Sequence, residues 1–449
     1  MSLTDTTLKG KYPAKAHCQR VAKYLTDRGL PEDGVIYLEA QKTRLEEDDD
    51  QAVAFRQRRY FFYLSGSKLP DAYLTYNIPK KHLTLYIPPI DPDSVIWEGL
   101  PESPEEALRK YDVDEVRYTD DVNASLAHQG SSTSTVYAIP EQVSDHITFL
   151  PFARTELASL REAIDESRVV KDAYEVALIR KANEISTLAH LEAQKAARDA
   201  TNEEQLYGAF IGTCIANGAH KQAYHSICAS GTSCSTLHYV RNDQPLRNRL
   251  NILLDAGAEY DCYCADITRT FPLSGTFTPE SQTIYDIVRD MQDQAFGQLR
   301  AGVQWEAVHE LTHRVAIRGL LKAGILVGGS EDEILAKRVS VAFYPHGLGH
   351  YLGMDTHDTG GHANYNDPDL LFKYLRVRGK VPAGAVITVE PGIYFCKFII
   401  DPVLADKDLG KYIDQKVLER YWDVGGVRIE DDVLITETGY ENLTDTPKL

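Results

Sequence analysis

The chain has 449 residues, of which 43% are hydrophobic and 25% charged, an ordinary globular composition at a length that suits two domains better than one core. A net charge of −18 argues against a protein that lives on nucleic acid, where every phosphate would repel it. The longest apolar runs, such as Val386–Val389, are strand-sized, and the opening MSLTDTTLKGKYPAKAH has no apolar stretch, so neither a membrane span nor a secretory signal is expected and the location should be cytoplasmic.

The first third alternates strand and helix patterns. Residues 35–40 (VIYLEA), 61–65 (FFYLS), 73–78 (YLTYNI), 83–88 (LTLYIP) and 135–139 (TVYAI) are short β-rich runs bounded by Pro, Gly or charge, which predicts strands. Residues 17–27 and 103–111 read as helices between them. From residue 155 the pattern turns helical, and residues 170–197 carry apolar positions at helical spacing. These patterns predict a mixed α/β domain over residues 1–165 and a second domain over 166–449. Thr201-x-x-Glu204 reads as a capping box. Thr278-Pro279 opens a helix with a stop at Gly302, and a further helix runs from Trp305 to Ala323 and ends at Gly324.

In residues 251–272 (NILLDAGAEYDCYCADITRTFP) two β runs join at a turn near Tyr260-Asp261. Asp255 ends an apolar run, and Asp266 sits among β-formers in the return run. A charge in such surroundings needs a partner. On spacing alone the two aspartates read equally well as metal ligands or as salt-bridged, turn-capping residues. Cys262 and Cys264 share parity with Asp266, but C-x-C without a second pair reads as packing rather than a zinc site. Seven scattered cysteines fit reduced thiols.

Residues 343–362 (FYPHGLGHYLGMDTHDTGGH) hold His346, His350, His357 and His362. Gly347, Gly349 and Gly353 disfavour a helix and are expected to let backbone approach a ligand closely. Glu390, in TVEPGIY, and Glu430, in GGVRIEDDV, again interrupt β-type runs, and Arg428 shares a strand face with Glu430. Four carboxylates and one imidazole form a hard-to-borderline set suited to Mn, Co or Zn. Two divalent ions sharing such carboxylates lower the pKa of a shared water toward neutrality.

The ordered motifs D-A-G…D-I-T-R-T, H-G-L-G-H, T-V-E-P-G and R-I-E-D closely resemble the pita-bread metallopeptidases. They are most similar to the proline-specific branch, Xaa-Pro aminopeptidase (aminopeptidase P) and prolidase, and the whole chain resembles its fungal members. The resemblance implies an α/β (α+β) protein, with a creatinase/prolidase-like N-terminal domain followed by a pita-bread catalytic domain. It implies two divalent ions, manganese by family expectation, held by Asp255, Asp266, His350, Glu390 and Glu430. His346 is not a ligand in that pattern. His238 and His357 match histidines that contact substrate and the developing intermediate, and Glu390 is the expected proton shuttle. Arg376 matches the arginine that holds a dipeptide's carboxylate, Arg428 the one beside the last glutamate, and Tyr394 is expected to wall the proline pocket. Before His238 the chain departs from the family's glycine-rich turn with Thr232, Ser233 and Cys234.

The expected substrates are proline-containing dipeptides or short peptides, and the family's habit implies a homodimer. The alternatives are a strict Xaa-Pro dipeptidase, favoured by Arg376 and the long segment between Glu390 and Glu430, and a pita-bread binding protein without catalysis.

Overall fold

The computed structural model describes residues 3–449, and the chain divides into two compact units, Met1–Arg168 and Val169–Leu449. The expected division lies between residues 165 and 166. Among the described residues no helix is long and apolar enough to cross a membrane.

The first unit is built on six strands, β1 (Gly34–Glu39), β2 (Tyr73–Asn77), β3 (His82–Ile87), β4 (Glu115–Tyr118), β5 (Thr135–Tyr137) and β6 (Arg154–Glu156), ordered β4-β3-β2-β1-β5-β6. The β1–β2 and β2–β3 pairs are antiparallel and the outer pairs parallel. β1 and β2 are buried along their whole length, so both faces are covered and the apolar runs are nearly continuous. One expected strand is wrong. Residues 61–65 lie in the helix Arg59–Ser65, which ends on the left-handed Gly66. A short apolar run buried on all sides has no period to separate strand from helix.

Among its described residues the second unit carries three three-stranded sheets and one two-stranded pair. β8 (Ile227–Ser230), β9 (Asn251–Asp255) and β12 (Thr268–Pro272) form one antiparallel sheet, and β7 (Lys221–Gln222), β10 (Ala258–Tyr260) and β11 (Tyr263–Cys264) form a second. The hairpin turns at Asp261 and Cys262, both with positive φ, so Cys262 is a turn residue rather than a strand neighbour of Asp266. β13 (Val386–Val389), β16 (Asp431–Ile435) and β17 (Tyr440–Asn442) make the third sheet, and β14 (Gly392–Tyr394) pairs with β15 (Gly426–Arg428).

The helix Ala173–Ala196 starts on Asp172, whose carboxylate accepts from Tyr174 N and Glu175 N. Its residues Asn183, Ser186 and His190 fall on one face and brace the sheets with polar contacts. Ser186 Oγ accepts from Ala258 N at 2.9 Å, and His190 Nε2 bonds the Ala256 carbonyl at 2.9 Å. Burial lowers the His190 pKa to about 4, so it donates as a neutral ring. The next helix, Glu203–Ala216, is capped by Asn202 with Gln205 completing the box, one residue beyond the expected Thr201 and Glu204. Asn is at least as good a cap as Thr and was free to take the position. The helix Pro279–Phe296 begins at Thr278 as expected but stops well before Gly302, while Trp305–Lys322 ends at Gly324, φ +76°.

Candidate metal centre

The candidate ligands arrive from two sheets and one strand-like segment. Asp255 is the last residue of β9, paired with Thr268 and Ile227. Asp266 lies just before β12, its N–H donating to Asp432 Oδ2 at 2.9 Å. Glu430 sits between β15 and β16, bridged to Thr268, whose Oγ1 donates to Glu430 Oε2 at 2.6 Å. Glu390 follows β13. Residues 348–350 run beside that strand: Glu390 N donates to Leu348 O, Thr388 N to His350 O, and His350 N to Thr388 Oγ1, at 2.8, 2.9 and 3.1 Å. That pairing sets His350 beside Glu390.

The glycines of this segment allow close packing of backbone, and two of them, Gly347 and Gly349, also line the cavity over the site. A Cβ on Gly349 would lie 1.9 Å from Thr388 O, and one on Gly353 would lie 2.3 Å from Asp358 Oδ2. The segment lies against strand backbone and a buried carboxylate, and only glycine permits it.

Asp266, His350 and Glu430 are all buried and bring ligand atoms within 4.8 Å of one another. His350 Nδ1 bonds the Tyr351 carbonyl at 3.0 Å, and a carbonyl only accepts, so Nδ1 carries the proton. Nε2 then presents a lone pair to Asp266 Oδ2 and Glu390 Oε1, each 3.4 Å away. Burial lowers the His350 pKa below its ordinary value, so the ring is neutral. Three acceptors facing one point repel unless a cation lies between them. Burial and then the neighbouring carboxylates hold Asp266 and Glu430 well above the usual carboxylate range. Burial raises Glu390 to about 7, with Asp266 and Asp255 adding to it against the pull of His350. The donor set fits hard or borderline divalent ions.

Around the acids stands a supporting frame. Arg428 Nη2 donates to Asp255 Oδ2 at 2.5 Å, its Nε to Thr268 Oγ1 at 3.2 Å and its Nη1 to Tyr394 OH at 2.8 Å. Burial opposes its charge, but Tyr394, Asp255 and Glu430 hold it protonated. Tyr224 OH donates to the other Asp255 oxygen at 2.5 Å. His346 Nδ1 donates to Gly347 O and its Nε2 accepts from Tyr394 OH, both at 2.8 Å, so neither ring nitrogen is left for a metal. Tyr394 is 1% exposed and is not among the residues that line the cavity. Its hydroxyl is turned inward to Arg428 and His346, which corrects its expected role as a wall of the proline pocket.

A cavity of about 750 Å³ opens onto the cluster and is lined by Asp255, Asp266, His350, Glu390 and Glu430, with His238, His357, Arg376 and Arg428. His357 packs edge-on against His350 with ring centroids 4.4 Å apart. Desolvation and the adjacent His350 lower its pKa to about 2, and desolvation, with Arg428 and Arg376, also lowers His238. Both are therefore neutral rings that can donate without charge. Arg376 Nη1 donates to Tyr365 OH at 3.0 Å toward the mouth. Tyr224, Thr268, Thr388 and Asp432 were not singled out from sequence; lone hydroxyls carry no pattern, although Asp432 stands in the quoted R-I-E-D-D run. Cys262 and Cys264 belong to no metal-holding group among the described residues.

The profile of metallopeptidase family M24 matches residues 177–437, and that of the aminopeptidase P N-terminal domain matches residues 17–137. The chain is 63% identical to a probable Xaa-Pro aminopeptidase pepP of Talaromyces marneffei, covering 100% of this chain and 97% of that protein. Among solved structures it is similar to proline aminopeptidase P II from Yersinia pestis, with TM-score 0.80, 31% identity and 98% of each chain covered. It is likewise similar to zinc-substituted E. coli aminopeptidase P in complex with product, with TM-score 0.80, 28% identity and 98% and 97% of the two chains covered.

Proposed function

The chain belongs to metallopeptidase family M24, and on that premise we propose that it removes the N-terminal residue from peptides whose second residue is proline. The observation that carries this is the convergence of His350 Nε2 with Asp266 and Glu390 oxygens at 3.4 Å, beside buried Glu430, at the floor of the cavity. Asp255, Asp266, His350, Glu390 and Glu430 would hold two divalent ions. When bound, such ions supply hydroxide at neutral pH and polarise the scissile carbonyl. Manganese is the family's expectation, with cobalt and zinc as the other fits to an oxygen-rich set.

The chain's own groups account for the remaining chemistry. Glu390, oriented by the Thr388 hydroxyl at 3.3 Å, takes the proton of the attacking water and passes it to the departing proline nitrogen. That nitrogen is a tertiary amide with no N–H, so a peptidase that grips the scissile N–H cannot use it, whereas a site that only has to protonate it can. Neutral His238 and His357 donate hydrogen bonds to the substrate and to the oxyanion as charge develops on it. Arg428, donating to Asp255 Oδ2, holds that side chain in place. Arg376, at the outer part of the cavity, meets the peptide's carboxylate or next carbonyl.

The names of the relatives favour peptides over dipeptides alone, so strict dipeptidase action is set aside. A homodimer and a cytoplasmic location complete the proposal, the first from the family's habit and the second from seven cysteines that are all free thiols, as a reducing compartment keeps them.

The test is hydrolysis of Gly-Pro and Arg-Pro-Pro after chelation and restoration with Mn, Co or Zn. Tripeptide cleavage should vanish on chelation and return most fully with manganese. Asp266→Asn or Glu430→Gln should lower kcat by on the order of a thousandfold, about 4 kcal/mol of transition-state stabilisation, with the circular-dichroism melt retained. Full activity of either variant in metal-stripped buffer would defeat the two-metal reading, and cleavage of Gly-Pro alone would restore the dipeptidase.

A further inference from the structure

Lys171 and Asp358 form an ion pair at 2.9 Å in which each side chain is 1% exposed. A pair buried this deeply is a poor source of net stability, because desolvating both charges cancels most of their attraction. What it does supply is direction. Lys171 Nζ also reaches the Val169 carbonyl at 3.3 Å, and Lys171 N donates to Gly384 O at 2.9 Å. Val170 bridges to Ala385, the residue just before the strand Val386–Val389 that leads to Glu390. The ammonium is thus rooted on the Glu390 strand.

Asp358 stands at the other end of the connection, beside His357. Its N–H donates to Tyr351 O at 2.9 Å and closes residues 351–358 into a loop. One foot of the loop is next to His350 and the other carries His357. Gly353 of the same loop accepts from Cys264 N at 2.8 Å, which ties it to the Asp266 hairpin, and its missing Cβ leaves room for the Asp358 carboxylate. The backbone and the glycine are both arranged around the buried pair.

From this geometry we infer that Lys171 and Asp358 are positioning residues, which fix the 351–358 loop so that the His357 ring stays against His350 and faces the cavity. The inference rests on the proposed activity for its kinetic consequence, but not for its structural one. Hydrogen bonds to a reacting oxygen are lost with small displacements, so a loop held only by apolar contact would keep the fold and lose the placement.

The test is the variant Lys171→Met/Asp358→Leu, since replacing both charges with apolar groups of similar size spares the fold in a way that removing one does not. On Arg-Pro-Pro, kcat should fall at least about tenfold with KM little changed, and the bound metal content and melting temperature should stay near wild type. His357→Ala, costly in the wild-type background, should cost almost nothing further in the double variant, because the two act through one group. In metal-stripped protein, amide exchange should accelerate in residues 351–358 and not in the helix Ala173–Ala196. A double variant with wild-type kcat, or a His357→Ala loss that persists in full, reduces the pair to a fold staple and overturns the inference. If wild-type enzyme leaves every Xaa-Pro peptide intact, the functional proposal fails instead, and unaltered exchange in the loop would still overturn the positioning role.

Discussion

Glu390, Asp266 and Glu430 are acids whose surroundings disfavour their charge, burial being the leading cause in each. A carboxyl whose folded pKa lies above its unfolded value keeps a proton that the unfolded chain has already released. The stability this contributes is full below the unfolded value, about 4.3 for Glu, and is lost as pH rises through the folded value, about 7 for Glu390. Metal-free protein should therefore melt at progressively lower temperature as the buffer moves from mildly acidic to mildly alkaline. Metal-loaded protein should not, because a divalent ion takes the place of the protons, and metal binding near neutrality should release protons in calorimetric titrations run in two buffers. A metal-free melting temperature that climbs over this range would exclude raised carboxylates. At this scale the ligands were only half legible. Asp255 and Asp266 taken alone read as readily as an ion-paired set, and Asp255 does carry an ion pair, with Arg428. Five motifs in order resolved what two spacings could not. Tyr394 was misassigned because sequence gives a residue's place but not the direction of its hydroxyl.

Between His350 and Glu390 the unit of structure is a loop laid against a strand, and its tolerance is set by backbone distance. Gly349→Ala would force a Cβ to within 1.9 Å of the Thr388 carbonyl, parting the two segments that pair the candidate ligands. It should destabilise by about 1–3 kcal/mol or more and weaken metal affinity, read by denaturant melts and by titration with manganese. Gly212, in the helix Glu203–Ala216, has nothing within 4 Å of its virtual Cβ. Gly212→Ala should stabilise by about 0.5–1 kcal/mol and leave metal affinity alone. Equal destabilisation by both variants would show that backbone approach does not matter at Gly349. Elements with a clear period or a strong cap, such as the helix begun by Thr278-Pro279, were legible from sequence. Residues 61–65 were not, because uniform burial erases the period, and the cap at Asn202 was displaced because two neighbouring polar residues both suit that position.

Over the whole molecule the net charge of −18 acts at distances where individual contacts do not. The cavity itself sets Arg376 and Arg428 among the acids Asp255, Asp266, Asp355, Glu390 and Glu430, so individual cations stand close to a bound peptide inside a field of the opposite sign. Within about 8 Å, the Debye length at physiological salt, local groups set the interaction, while at low salt the field of the entire chain reaches the approaching peptide. Cationic peptides should then be drawn in faster than anionic ones, in proportion to the charge they carry. The ratio of kcat/KM for Arg-Pro-Pro to that for Glu-Pro-Pro should be largest at low ionic strength and shrink as salt is added, chiefly through kcat/KM for the arginine peptide. His238 and His357 are neutral across this range by desolvation, so a change of pH between 7 and 8 should leave the ratio nearly fixed. A ratio indifferent to salt would mean that the selectivity for the first residue is made by contacts in the cavity, and that the acidity of the chain serves its solubility alone.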